Sequence, residues 1–258
     1  MLGWSMNLFR VRGIQLAVHF SFMLLLAIAA ADGWYEDGWE GMFWSTLMLL
    51  AFFTCVVLHE FGHVLAAQHF GVGVRRILLL PIGGMAEFDR IPREPGREIV
   101  IALAGPAVNF IIVAVLMLLV GAPHSLPLTP DYGANTWGFV ELLRDWNIAM
   151  GLFNLAPVFP MDGGRILRAS LAMRLPYLRA TFFAASVGKV LAVVAAGIAL
   201  YFFRAGLTAV LFAFIFFAGE IEYRALKSRE IEEANLRAQL ARFYPHSPSE
   251  PPVLTRPT

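Results

Sequence analysis

Apolar residues run along this chain in long blocks, separated by short polar stretches. Residues 111–120 read Ile-Ile-Val-Ala-Val-Leu-Met-Leu-Leu-Val, which leaves no polar face on a helix. A helix that is apolar all round belongs in a membrane or deep in a core. The alternating segments of about ten residues that a transmembrane barrel needs are missing. A bilayer core about 30 Å thick takes about 20 mostly apolar residues per helix. Six stretches are read as such spans: Leu16–Ala31, Phe43–Phe70, Ile99–Val120, Trp137–Phe159, Thr181–Phe203 and Leu207–Ile221. Segment Val72–Phe88 is too short and too interrupted to cross. It reads either as a re-entrant hairpin or as a loop lying on lipid.

Composition turns this pattern into a class. The 258 residues are 58% hydrophobic and 15% charged, with a mean hydropathy of +0.65. Globular chains carry about 25% charged residues, and a soluble domain of this length could not hide the apolar excess. Cys55 is the only cysteine, which excludes a disulfide scaffold. A net charge of +1 gives no reason to expect nucleic acid as a partner. The fold class expected is an all-α polytopic membrane protein of six transmembrane helices, with a short β-hairpin-like re-entrant segment after the second. Asp32-Gly33-Trp34-Tyr35 after the first span offers no small-residue cleavage site, so that span is read as retained. Trp34, Tyr35, Trp39, Phe43 and Trp44 suit a membrane interface.

Seventeen Arg and Lys residues fall on one side of this arrangement: before span one, between two and three, between four and five, and in the tail. The opposite loops hold only Arg204, and segment 32–42 is purely acidic. The positive-inside rule then sets both termini in the cytoplasm. Residues 1–223 are read as one membrane domain, with a core over about 10–175 and helices five and six over 181–223. Residues 224–258 are read as a charged helix followed by a disordered Pro-rich tail.

Within span two stands His59-Glu60-Phe61-Gly62-His63. Histidines at i and i+4 share a helix face and can ligate one metal ion, with Glu60 placed to take a proton from a water that the ion acidifies. Ionisable groups inside a membrane helix cost several kcal/mol and are functional by default. The alternative is a pair of core histidines bonded to neighbouring helices. A catalytic zinc site usually has three protein ligands. Span four runs in the same direction as span two and ends in Asn154-Leu-Ala-Pro157-Val-Phe-Pro160-Met-Asp162-Gly-Gly-Arg165. Asp162 is the candidate third ligand. Its competing reading is an N-cap for a helix starting near Gly163.

These blocks, with Gly83-Gly84-Met85-Ala86 leading through Pro92 and Glu98 to Ala104-Gly105-Pro106-Ala107-Val108-Asn109, resemble the site-2 protease family of intramembrane zinc metalloproteases. The resemblance implies one zinc per chain held by His59, His63 and Asp162, with Glu60 as general acid/base. It implies that Asn154 lies beside the scissile peptide. It also favours the hairpin reading of Val72–Phe88, whose Gly83 and Gly84 would bind an extended substrate by strand addition. The implied partners are a transmembrane protein substrate and the lipid bilayer of a prokaryotic cell membrane. There is no room between the spans for the PDZ domain of some members. The nucleotide-sensing CBS pair of others is expected to be absent, its regulation lost or supplied by a separate subunit. Two further readings stand beside the peptidase: a catalytically inactive relative that binds membrane proteins, and a metal transporter using the same three ligands.

Other polar residues are less decided. Asn109 either supports the site or bonds between helices near Gly105. His69 lies about 80° round the helix from His59 and reads as interfacial. His19 sits at the start of span one. Cys55 reads as packing. Glu141, Arg144 and Asp145 read as a paired interfacial cluster or a polar gate.

Overall fold

The computed structural model describes residues 5–81, 83–89, 93–122, 136–203 and 206–243. The chain opens with a hairpin, β1 (Ser5–Val11) and β2 (Ile14–His19), closed by Arg12 and Gly13 at φ +50° and +83°. Positive φ at both central residues matches the twist of the flanking strands. His19 then caps α1 (Phe20–His69), its ring accepting from the Ser21 N–H.

Helix α1 is two arms rather than a 50-residue rod. Asp37 and Gly38 leave helical geometry, Gly38 at φ +61°. Ser45 Oγ donates to the Ala29 carbonyl at 2.9 Å, although sixteen residues of straight helix would separate them by about 24 Å. The Phe22 and Phe53 rings meet at 4.6 Å. The chain therefore doubles back, with Trp34, Tyr35, Trp39 and Phe43 exposed about the turn.

This helical hairpin is also the crossover that a parallel strand pair requires. β2 pairs in parallel with β3 (Val74–Leu80), from Gln15 opposite Arg76 to Val18 opposite Leu79. β3 turns back into β4 (Gly83–Phe88), giving one sheet in the order β1-β2-β3-β4. Ile14, Leu16, Val18, Ile77 and Leu79 pack against Phe22, Phe53, Val56 and Val64 of α1. β4 is an edge strand.

The remaining elements are α2 (Pro95–Val120), α3 (Thr136–Asn154), α4 (Asp162–Ala172), α5 (Tyr177–Phe203) and α6 (Gly206–Phe243). Ala185, Ala192 and Ala199, seven residues apart and all buried, form a narrow seam on α5. Small residues let membrane helices approach closely, and Lys189 Nζ donates to Glu220 of α6 at 2.5 Å. Val158 and Met161, just before α4, pack with Ala192 of α5 and Ile215 of α6.

The all-α expectation therefore needs correcting to a mostly helical fold with a four-stranded sheet. Residues 16–19, read as the start of span one, are strand instead. Residues 16–18 pair on both sides, with β1 and with β3, and His19 pairs with β1 before the helix begins. The hairpin read from Val72–Phe88 is present as β3 and β4. Residues 155–159, assigned to span four, lie beyond the end of α3 at Asn154. Among the described residues, three helices are long and apolar enough to cross a membrane: Phe20–His69, Pro95–Val120 and Tyr177–Tyr201. Pro92, Arg204 and the Pro-rich tail beyond Phe243 lie outside the described residues.

A buried ionic node ties the last three helices to the core. Arg168 of α4 and Glu98 of α2 are 2% and 0% exposed. Arg168 Nε donates to Glu98 Oε1 at 2.9 Å, and Tyr177 Oη donates to Glu98 Oε2 at 3.1 Å. Arg168 Nη1 reaches Glu222 of α6 at 3.0 Å, and its guanidinium lies 5.2 Å from the Phe159 and Tyr177 ring centres. Removing one member of a buried pair strands the other charge. Arg168→Met is expected to cost about 3–5 kcal/mol. Glu222, with 44% of its side chain exposed, should cost under about 1 kcal/mol as Glu222→Gln. Thermal unfolding of both variants in the same detergent checks the difference.

Candidate metal centre

Span two's polar pair stands one turn apart on α1, with both rings buried at 4% and 3% exposure. His59 Nε2 and His63 Nε2 are 3.1 Å apart. Asp162 Oδ2 lies 3.3 Å from the first and 3.1 Å from the second. Three ligand atoms about 2.0–2.1 Å from a tetrahedral zinc ion would be separated by about 3.3 Å. The triangle fits.

The hydrogen bonds around the triangle say what its atoms carry. His63 Nδ1 is 2.7 Å from the Ile101 carbonyl, which can only accept, so the proton is on Nδ1. His59 Nδ1 donates to Asn109 Oδ1 at 2.6 Å. In the neutral rings both Nε2 atoms then present lone pairs inward. Asp162 Oδ2 is one of two buried side-chain polar atoms, among the described residues, with no hydrogen-bond partner. A buried carboxylate oxygen facing two imidazole lone pairs needs a positive centre between them. Among the described residues, these three form the one group of His, Cys, Asp or Glu side chains spaced so that it could hold a metal ion.

Local sequence explains how the ligands reach one point. A Cβ on Gly105 would overlap His63 Nε2 and come within 2.7 Å of His59 Nε2. On Gly62 it would meet the Ala104 carbonyl at 2.5 Å. Only glycine at both positions lets α1 and α2 approach with the rings between them. Asp162 is the first residue of α4, while Met161 holds the cap position and makes no side-chain cap bond. Asp162 is therefore not the N-cap, and its carboxylate faces the two histidines instead. A Cβ on Gly163 would overlap the carbonyls of Leu155 and Ala156, so the turn after α3 folds hard against the start of α4.

Glu60 is partly exposed beside the triangle. A Cβ on Gly84 of β4 would stand 2.5 Å from Glu60 Cγ and 3.2 Å from Oε1, so the edge strand passes directly over that carboxylate. Gly83 starts the strand at φ +135°, where side chains other than glycine's are strained. Arg165 Nη1 lies 3.8 Å from Asp162 Oδ1, and its guanidinium sits 6.0 Å from the Phe88 ring of β4.

The other candidates separate cleanly. Asn154 ends α3 and donates to its own helix at the Met150 carbonyl, 3.0 Å away. His19 is a helix cap and His69 is exposed at the end of α1. Arg144 and Asp145 pair at 2.7 Å, both buried, and Arg144 Nη1 donates to the Gly121 carbonyl after α2. Cys55 is buried against Asn147, outside the triangle. Asn109 is in direct contact with the site, and behind it stands Asn147, which sequence reasoning missed. Its one sequence signal was an amide within an apolar span.

Comparison with known proteins follows the same lines. The sequence model of Peptidase family M50 matches residues 47–125 and 130–195, more than half of the chain. The chain belongs to this family, the site-2 proteases. A zinc metalloprotease of Methanocaldococcus jannaschii is 37% identical over 241 residues, covering 92% of this chain and 66% of that protein. Rip3 of Mycobacterium tuberculosis is 30% identical over 213 residues, covering 76% of this chain and 51% of that protein. The chain thus spans about two thirds of the first relative's length and about half of the second's. Among solved structures, the site-2 protease from M. jannaschii matches with a TM-score of 0.61 at 34% identity, over 85% of this chain and 95% of that one. The family is one of zinc metalloproteases, and His59, His63 and Asp162 fit that ion in number, type and spacing.

If Gly105 is what admits the rings, Gly105→Ala should weaken zinc binding by about 10–100-fold or more. Gly96→Ala, on the same helix with open space around it, should leave binding unchanged. Metal content per chain after purification in detergent, with a competing chelator, reads both.

Proposed function

We propose that this site-2 protease family member is an intramembrane endopeptidase that cleaves a transmembrane segment of a membrane protein. The observation carrying the reading is a buried His59–His63–Asp162 triangle among apolar helices, with a carboxylate beside it and an open strand edge over that carboxylate. In this reading the two arms of α1 and helices α2, α3, α5 and α6 cross the bilayer, and the Arg/Lys bias keeps both termini cytoplasmic.

Zinc held by the triangle would acidify an attacking water and polarise the scissile carbonyl. The protein's own groups do the rest. Glu60 accepts the proton of the attacking water and returns it to the departing amide nitrogen. The strand edge at β4 gives an unwound substrate segment backbone partners, because a helical substrate has none free. Gly84 lets that strand lie against Glu60 without a side chain between them. Arg165, between Asp162 and Phe88, keeps a positive charge beside the anionic ligand. Asn154 is proposed to contact the bound peptide once substrate enters.

Glu60→Gln is expected to retain zinc at the level of the parent protein while cleavage falls at least about 10²-fold. Quantitative membrane proteomics of cells carrying either form should find single-span fragments accumulating with the variant. Normal turnover by Glu60→Gln would remove Glu60 from the role of base.

A further inference from the structure

Behind the metal triangle a chain of amide hydrogen bonds runs from α1 through α2 to α3. Its direction is set at the far end. The Leu143 carbonyl can only accept, so Asn147 Nδ2 donates to it, at 2.8 Å. Asn147 Oδ1 is thereby turned towards Asn109 and accepts from Asn109 Nδ2 at 2.9 Å. Asn109 Oδ1 is then turned towards His59 and accepts from Nδ1–H at 2.6 Å. Asn109 and Asn147 are both 0% exposed. Bulk water does not reach these groups, and reversing either amide would set oxygen against oxygen, at Leu143 or between the two asparagines.

The two histidines are therefore held differently. His63 leans on a backbone carbonyl, Ile101, which is fixed by α2 itself. His59 leans on a side chain whose orientation is borrowed from another side chain. We infer that Asn109 and Asn147 are positioning residues for the metal site. Together they fix the His59 ring and its tautomer, so that Nε2 presents a lone pair towards Asp162, and they couple α3 to metal affinity although α3 supplies no ligand. Neither touches substrate or the reacting atoms. The inference rests on the reading of the triangle as a zinc site.

A purely packing role makes a different forecast. Leucine keeps asparagine's branched outline of four side-chain heavy atoms, although its methyl groups are bulkier, and a purely packing role asks only for an apolar filler between α2 and α3. In the relay reading, Asn109→Leu leaves His59 Nδ1–H without an acceptor, and zinc affinity falls about 10–100-fold, as when outer-shell partners are lost elsewhere. Asn109→Asp keeps the acceptor for His59 although it loses the donor to Asn147, and should hold affinity nearer the parent than Asn109→Leu does. Asn147→Leu leaves the acceptor in place but frees its orientation, so affinity falls by less than in Asn109→Leu.

Zinc affinity is measured on the full chain in detergent by chelator competition. The visible spectrum of the cobalt-loaded protein reports ligand geometry independently of catalysis. A graded loss in the order Asn109→Leu, Asn147→Leu, Asn109→Asp, with a changed cobalt spectrum in the first two, supports the relay. Parent-like affinity and spectrum in both leucine variants overturns it. If Asn109→Leu does not fold, Asn147→Leu and Asn109→Asp decide by the same comparison with the parent. A parent protein that binds no stoichiometric metal instead overturns the zinc reading itself, which separates the two failures.

Discussion

With both imidazoles neutral and protonated on Nδ1, three acceptor atoms meet in the middle of this fold. His59 Nε2, His63 Nε2 and Asp162 Oδ2 lie 3.1–3.3 Å apart and are shut away from water. Left to themselves they repel one another, and in an apolar environment nothing screens them. The arrangement exists because each contributing element is fixed elsewhere. The α1 turn at Gly38 and the parallel β2–β3 pairing set the histidine arm in place. Gly62 and Gly105 let α2 close on it. Arg168 anchors α4, and with it Asp162, to the buried Glu98.

The polar residues of the core fall into two systems with different physics. Around the two histidines the supporting contacts are neutral, two amides and a backbone carbonyl, while Asp162 has Arg165 beside its other oxygen. The neutral bonds orient rings without adding charge that would compete with the ion. Lower in α4 the support is ionic, and the Arg168–Glu98 pair has a desolvation cost that its attraction must offset. Tyr177, the two aromatic faces and Glu222 reduce that cost by adding donors, acceptors and polarizable surface. The ionic node stands six residues along α4 from Asp162, so it holds that helix without contacting the ligand atoms.

Much of the site was legible because charge in a membrane helix is rare. His59, Glu60, His63 and Asp162 stood out against apolar neighbours, and two prolines and two glycines marked the irregular turn that aims Asp162. Non-local structure was less legible. Leu16–His19 is as apolar as the helix that follows, so nothing in the pattern separates strand from span. Its partner β3 lies beyond the whole α1 hairpin, out of reach of any local rule. The β1–β2 turn uses Arg12-Gly13, a weaker signal than Asn-Gly although it takes the same positive φ values. Asn147 was silent for another reason: a single amide in a span signals a hydrogen bond but not its partner, and its importance lies two bonds away at His59.

The same contrast bears on how α6 relates to the metal. α6 meets α4 through Glu222, whose side chain is 44% exposed, whereas Glu98 is wholly buried against the same arginine. Exposed pairs are worth under about 1 kcal/mol and buried ones several times that when broken. The α4–α6 ion pair is therefore the weak bond of the node, and the α4–α2 pair is the strong one. Parting Glu222 from Arg168 leaves the guanidinium still paired with Glu98, still stacked on Phe159 and Tyr177, and Asp162 still facing both histidines. Through this node, the ligand geometry is insulated from α6 by the order in which these contacts yield.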